Sequence, residues 1–108
     1  MSQMLDLSGI SGKSPSSVLS GKQRGESVRS DFKIETLDQQ GDDISVRLPD
    51  GLDAITPSFV LGLFGRSVQK LGSIEAFFAK YRFDGIGPHL QAQIRRGAEY
   101  SLIRGNPL

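Results

Sequence analysis

Apolar and polar positions alternate with a period of two from Ile44 to Leu48: Ile44, Val46 and Leu48 are apolar, and Ser45 and Arg47 are polar. That pattern predicts a half-buried strand. Pro49-Asp50-Gly51 breaks it, and a short apolar step through Leu52 and Ile55 leads into Thr56-Pro57-Ser58. There the period becomes helical. Val60, Leu61, Phe64, Val68 and Leu71 form a broad apolar stripe, widened by Phe59 and Leu63. Thr56 stands where an N-cap belongs. Pro57 takes the first helical position, where the N–H that it lacks would be unpaired anyway. A helix from Pro57 to about Leu71 is predicted, with Gly72 as its stop. So wide an apolar circumference predicts packing on both sides, or an interface. Gly62 and Gly65 are expected to let its backbone approach the sheet closely.

The flanking segments are read the same way. Met4-Leu5-Asp6-Leu7 is one brief alternation, and Ser8 to Ser20 is a Gly- and Ser-rich loop. Residues 1–18 are therefore expected to be a flexible N-terminal segment, with one edge strand as the alternative. Deleting Met1 to Ser17 is expected to shift the thermal midpoint by only a few degrees. Gly12-Lys13-Ser14 lacks the G-x-x-x-x-G-K-[ST] spacing of a phosphate-cradling loop. Ser20 and Gln23 have capping-box spacing, which predicts a helix from about Gly21 to Phe32. Val28 and Phe32 would be its buried face, with Lys22, Gln23, Glu26 and Arg29 solvated. Lys33 to Asp43 reads as a connection with room for one extended segment. After Gly72, Ser73 caps a short helix carrying Ile74, Phe77 and Phe78, and Tyr81-Arg82-Phe83 is a short strand. Leu90, Ile94, Ala98 and Leu102 are the ridge of a last helix from Pro88, closed by Gly105 and Pro107. Strands alternating with helices imply an α/β fold with a small, mostly parallel sheet.

Composition narrows the function. The chain of 108 residues is one domain with a modest core. Thirteen Lys and Arg against twelve Asp and Glu give a net charge of +1, which argues against nucleic acid or an anionic membrane as partner. Without Cys there is no disulfide framework and no thiolate metal site. His89 has no second imidazole to join it, and Asp50 and Asp53 flank a turn with no third ligand, so no metal or cofactor is expected. No run approaches the roughly 20 apolar residues of a spanning helix. The start has no basic stretch followed by an apolar one, so a cytoplasmic protein is expected. Arg95, Arg96 and Arg104, offset by Glu99, read as a solvated helix face; a weak nucleic-acid contact there is the sharper alternative. Phe77, Phe78, Tyr81 and Phe83 read as core. With no nucleophile–base pair there is no catalytic residue to name, and an enzyme is not expected.

A strand, an apolar step and a Ser at the start of a buried helix resemble the core of STAS domains, the anti-sigma factor antagonist family. In that family a strand leads into an Asp-Ser-Ser-Gly-Leu-like turn whose Ser can be phosphorylated. Ser58-Phe59, Gly62, Phe64-Gly65 and Leu71-Gly72 are similar to the S-F-x-x-x-x-F-G region of STAS-like domains of unknown function. Leu19-Ser20-Gly21 with Arg24 and Arg29 looks like that group's helix ahead of the strand, and Phe78-x-x-Tyr81-x-Phe83 like its segment after the central helix. The resemblance runs from Leu19 to Leu102 and implies a STAS-like domain over residues 19–108. It also implies a bacterial signalling protein, often found beside histidine-kinase-type ATPases. The turn departs from the family's pattern. Thr56 stands in the acidic position, Pro57 replaces the first Ser and Phe59 replaces the Gly, so Ser58 alone matches the phosphorylatable position.

The reading that follows is a non-enzymatic regulatory and protein-interaction module. Its partner would be a histidine-kinase-type ATPase or an anti-sigma-like protein, met through Thr56 and Ser58, with Asp53 and Pro57 as neighbouring surface. Ser58 is either a small residue bonding a free helix N–H or a phosphoacceptor. The alternative function is a small-ligand or nucleotide sensor that uses the same helix start as an anion site.

Overall fold

The computed structural model describes residues 3–10 and 18–104. In chain order the elements are β1 Gln3–Asp6, β2 Val18–Leu19, α1 Lys22–Asp31, α2 Ile34–Gln39 and β3 Ile44–Arg47; then β4 Ala54–Ile55, α3 Pro57–Leu71, α4 Ile74–Lys80, β5 Tyr81–Arg82 and α5 Pro88–Arg104. β1, β3 and β5 form a parallel sheet with β3 in the middle, and β2 and β4 form a separate parallel pair. The protein is thus α/β with a small parallel sheet, divided into two ladders. Among the described residues, no helix is long and apolar enough to cross a membrane.

Register settles which strand residues are buried. Leu5 pairs with Val46, and Ile44 pairs with both Gln3 and Tyr81. Leu5, Ile44, Val46 and Tyr81 therefore share one face, and all four are buried in the core. Met4, Arg47 and Arg82 lie on the other face and are exposed. Residues 3–10 carry the edge strand that was the alternative reading for this segment. Gln3–Asp6 is an edge strand of the sheet, and Leu5 and Leu7 are buried to 3% and 0% exposure. Removing that packed surface is expected to lower the thermal midpoint by more than a few degrees. Gly12-Lys13-Ser14 lies outside the described residues, as do Gly105 and Pro107.

α3 is the middle of the molecule. Thr56 caps it by accepting the Phe59 N–H at 3.2 Å, and Gly72 ends it in the left-handed region at φ 88°. One side faces the aromatic cluster, where the Phe64 ring meets Phe77, Tyr81 and Phe83 at centroid distances of 5.3, 5.1 and 5.7 Å. The other two sides meet helices. The small residues serve those contacts and not the sheet, which corrects the expectation for Gly62 and Gly65. A Cβ on Gly62 would lie 2.1 Å from the Lys22 carbonyl oxygen of α1, and one on Gly65 would meet Ser101 of α5 at 3.4 Å. On α5 itself, a Cβ on Gly97 would be 2.4 Å from Cβ of Val60.

The segment before β3 differs most from its sequence reading. α1 begins at Lys22 with Gly21 as N-cap at φ 93° and no side-chain cap, so Ser20 does not form the expected capping box. A glycine is needed there because the chain turns from β2 into α1 through a conformation that L side chains rarely adopt. Arg29, expected to be solvated, is 7% exposed. The expected connection after Lys33 contains α2, whose Ile34 is fully buried. Six residues are too few for periodicity to reveal a helix.

Candidate functional site

Thr56 to Ser58 is held firmly from behind. The Ile55 N–H donates to Oε1 of Gln93 on α5 at 2.9 Å, and the Thr56 N–H donates to the Leu19 carbonyl of β2 at 2.9 Å. Thr56, half-buried, uses its hydroxyl oxygen for the Phe59 N–H and its carbonyl for the Val60 N–H at 3.1 Å. Pro57 is half-buried, with its carbonyl 3.0 Å from where a Cβ on Gly97 would stand. Ser58 is exposed, and its hydroxyl lies 3.0 Å from the Thr56 hydroxyl. The structure thus brings Thr56 and Ser58 together as a pair of hydroxyls at the helix start. Asp53 is exposed, three residues ahead of the cap in the approach to β4.

This geometry limits what the helix start does chemically. Pro57 has no N–H and the Phe59 N–H is taken, so one backbone donor, that of Ser58, stays open among the described residues. A single donor with the helix dipole favours negative charge there but does not make a phosphate cradle. Among the described residues no general base is bonded to the Ser58 hydroxyl, whose partner is another neutral hydroxyl.

A second polar arrangement, absent from the sequence reading, lies beneath α2. Nη1 of Arg29 donates to the Leu63 carbonyl at 3.0 Å and to Oγ of Ser67 at 2.9 Å. Nη2 donates to Oδ2 of Asp38 at 2.7 Å and to Oε1 of Glu35 at 2.9 Å. Ser67 also donates to Asp38 at 2.8 Å, and the Tyr81 hydroxyl donates to the other Asp38 oxygen. The side chains of Arg29 and Asp38 are 8% and 3% exposed, whereas that of Glu35 is 60% exposed. Burial, and then the Asp38 carboxylate that it bonds, push the Tyr81 phenol well above its ordinary range. Asp38 therefore fastens α2 to α1, α3 and β5 at once. One signal in the chain pointed to this. Gly25, Val28 and Arg29 are spaced i, i+3, i+4 and share the buried face of α1.

Beside that network, α1, the start of α2 and α3 enclose an open groove of about 790 Å³, in which Arg29 and Glu35 meet the solvent-facing Lys22, Lys33 and Arg66. His89 is exposed, and Arg95 pairs with Glu99 at 3.4 Å on the exposed side of α5. Among the described residues, no three of His, Cys, Asp and Glu converge into a set that could hold a metal ion. Comparison of the chain with family models, with curated proteins and with solved structures gives no match.

Proposed function

We propose that this protein is a non-enzymatic, STAS-like bacterial regulatory module of the cytoplasm. It docks a protein partner through Thr56 and Ser58, with Asp53 and Pro57 at the margin of the contact. The partner class is a histidine-kinase-type ATPase or an anti-sigma-like protein. One observation carries the reading: Ser58 is exposed on a fixed helix start, while Thr56 alone does the capping. Ser58 is therefore accessible to a partner or a kinase. A phosphate on it would gain about 0.3–1 kcal/mol from the helix dipole and would change the surface enough to displace a partner. The alternative, a small-ligand sensor at the same helix start, has weaker support because the Ser58 N–H is the single open donor there among the described residues. The test is amide-resolved titration of the protein with a histidine-kinase-type ATPase. Saturable binding with shifts confined to Asp53–Phe59 is expected. Binding that leaves those amides unmoved would remove the docking surface from the helix start.

A further inference from the structure

The groove between α1 and α3 has features that packing does not require. Lys33 sits at its rim with φ 55°, and it is the one non-glycine residue with positive φ among the described residues. A left-handed residue that ends a helix is usually glycine, because a Cβ there costs roughly 1–2 kcal/mol. Keeping a lysine at that point sacrifices stability for a side chain. Lys22, Lys33 and Arg66 line the groove with no carboxylate within ion-pair distance among the described residues. At the floor, Arg29 presents four guanidinium hydrogen bonds, three of which end on well-buried acceptors: Leu63, Ser67 and Asp38. The fourth ends on Glu35, whose side chain is 60% exposed and belongs to the groove. Glu35 thus occupies a guanidinium donor on the groove side of Arg29, with a carboxylate that can swing into water.

We propose that this groove binds a small phosphate-bearing molecule, whose oxygens replace Glu35 on Nη2 of Arg29 while Lys33, Lys22 and Arg66 close on it from the two walls. The volume lies within the range of small-molecule sites. A phosphate group offers acceptors in several directions at once, which suits cations spread over α1, the α1–α2 corner and α3. Glu26 is the one acidic wall residue besides Glu35, so release of Glu35 leaves cations in clear excess there. Thr56 and Ser58 are not among the groove residues, and the inference stands apart from partner docking at the helix start.

The experiment uses the full chain, with inorganic pyrophosphate and a nucleoside triphosphate as separate probes, followed by amide shifts and by thermal midpoint. Expected are saturable shifts at Lys22, Ser30, Lys33, Arg66 and Gln69, and tighter binding by E35Q, which removes the competing carboxylate, by about fivefold. K33G should raise the thermal midpoint and yet weaken binding, a pairing that a structural role for Lys33 does not produce. Binding of the triphosphate alone would identify a nucleotide; equal binding of both would identify the phosphates as the whole ligand. Lack of saturable shifts with either probe at millimolar concentration would overturn the proposal, as would shifts confined to Ser58 and Phe59. So would E35Q binding no more tightly than wild type.

Discussion

Gly62 of α3 rests against the Lys22 carbonyl of α1 so closely that a Cβ would lie 2.1 Å from the oxygen. The contact is reciprocal, since a Cβ on Gly25 would lie 2.2 Å from the Phe59 carbonyl oxygen. Both obstacles are backbone, so no side chain can rotate away to make room. The close crossing also sets the reach of Arg29 across to Leu63 and Ser67. Gly62→Ala is expected to destabilise the protein by about 3 kcal/mol or more, toward the upper end of overpacking costs. Urea melts read this directly, and a loss below about 1 kcal/mol would mean that the two helices are farther apart.

The buried ion pair makes a paired prediction. Arg29→Met leaves the buried Asp38 carboxylate without its ionic partner and should cost about 3–5 kcal/mol, whereas Asp38→Asn should cost less, because Glu35 still pairs with Arg29. The double variant Arg29→Met with Asp38→Asn should cost less than the sum, because no unpaired buried charge remains. Strict additivity in a double-mutant cycle would show that the two side chains do not depend on each other.

Phe64 tests the aromatic core. It is 1% exposed and meets three other rings, so Phe64→Ala should cost about 3–5 kcal/mol. A variant that melts like wild type would place Phe64 in an interface and not in the core.

The Tyr81 phenol gives the pH dependence. Its pKa is raised in the folded state, so between the unfolded value near 10 and the folded value the native protein holds a proton that the unfolded chain has lost. Stability from this group is complete below about pH 10 and falls as pH rises beyond it. In a Tyr100→Phe background, tyrosinate absorbance should appear together with unfolding. Tyrosinate formation in a chain still fully folded would contradict the burial of the Tyr81 hydroxyl.

What was legible in the chain follows from length and from symmetry of pattern. α3 could be read to its ends because it has fifteen residues with a cap and a glycine stop. α4 has only seven residues and was readable through its Ser73 cap, which accepts the Ala76 N–H at 3.0 Å. α2 was not, since Ile34, Leu37 and Asp38 share a face for barely more than one turn. Arg29 was misplaced because a charged residue is assigned to solvent by default, and its buried partners lie 34 and 38 residues further on at Leu63 and Ser67. Gly62 was recognised as a close approach, but sequence does not say which neighbour approaches. The hydroxyl pair at Thr56 and Ser58 was legible, because the cap, the proline and the serine are consecutive.

The docking claim rests on Ser58, and titration calorimetry of three forms against a histidine-kinase-type ATPase tests it most directly. Ser58 is exposed in the first turn of α3, so an Asp there meets the positive end of the helix and reaches water. Ser58→Asp should therefore melt close to wild type. If a partner seats on this surface, the new charge should weaken binding by about tenfold or more through desolvation and repulsion, while Ser58→Ala, small and uncharged, binds near wild type. Equal binding by wild type, Ser58→Ala and Ser58→Asp, with all three folded, would contradict the docking surface proposed for the start of α3.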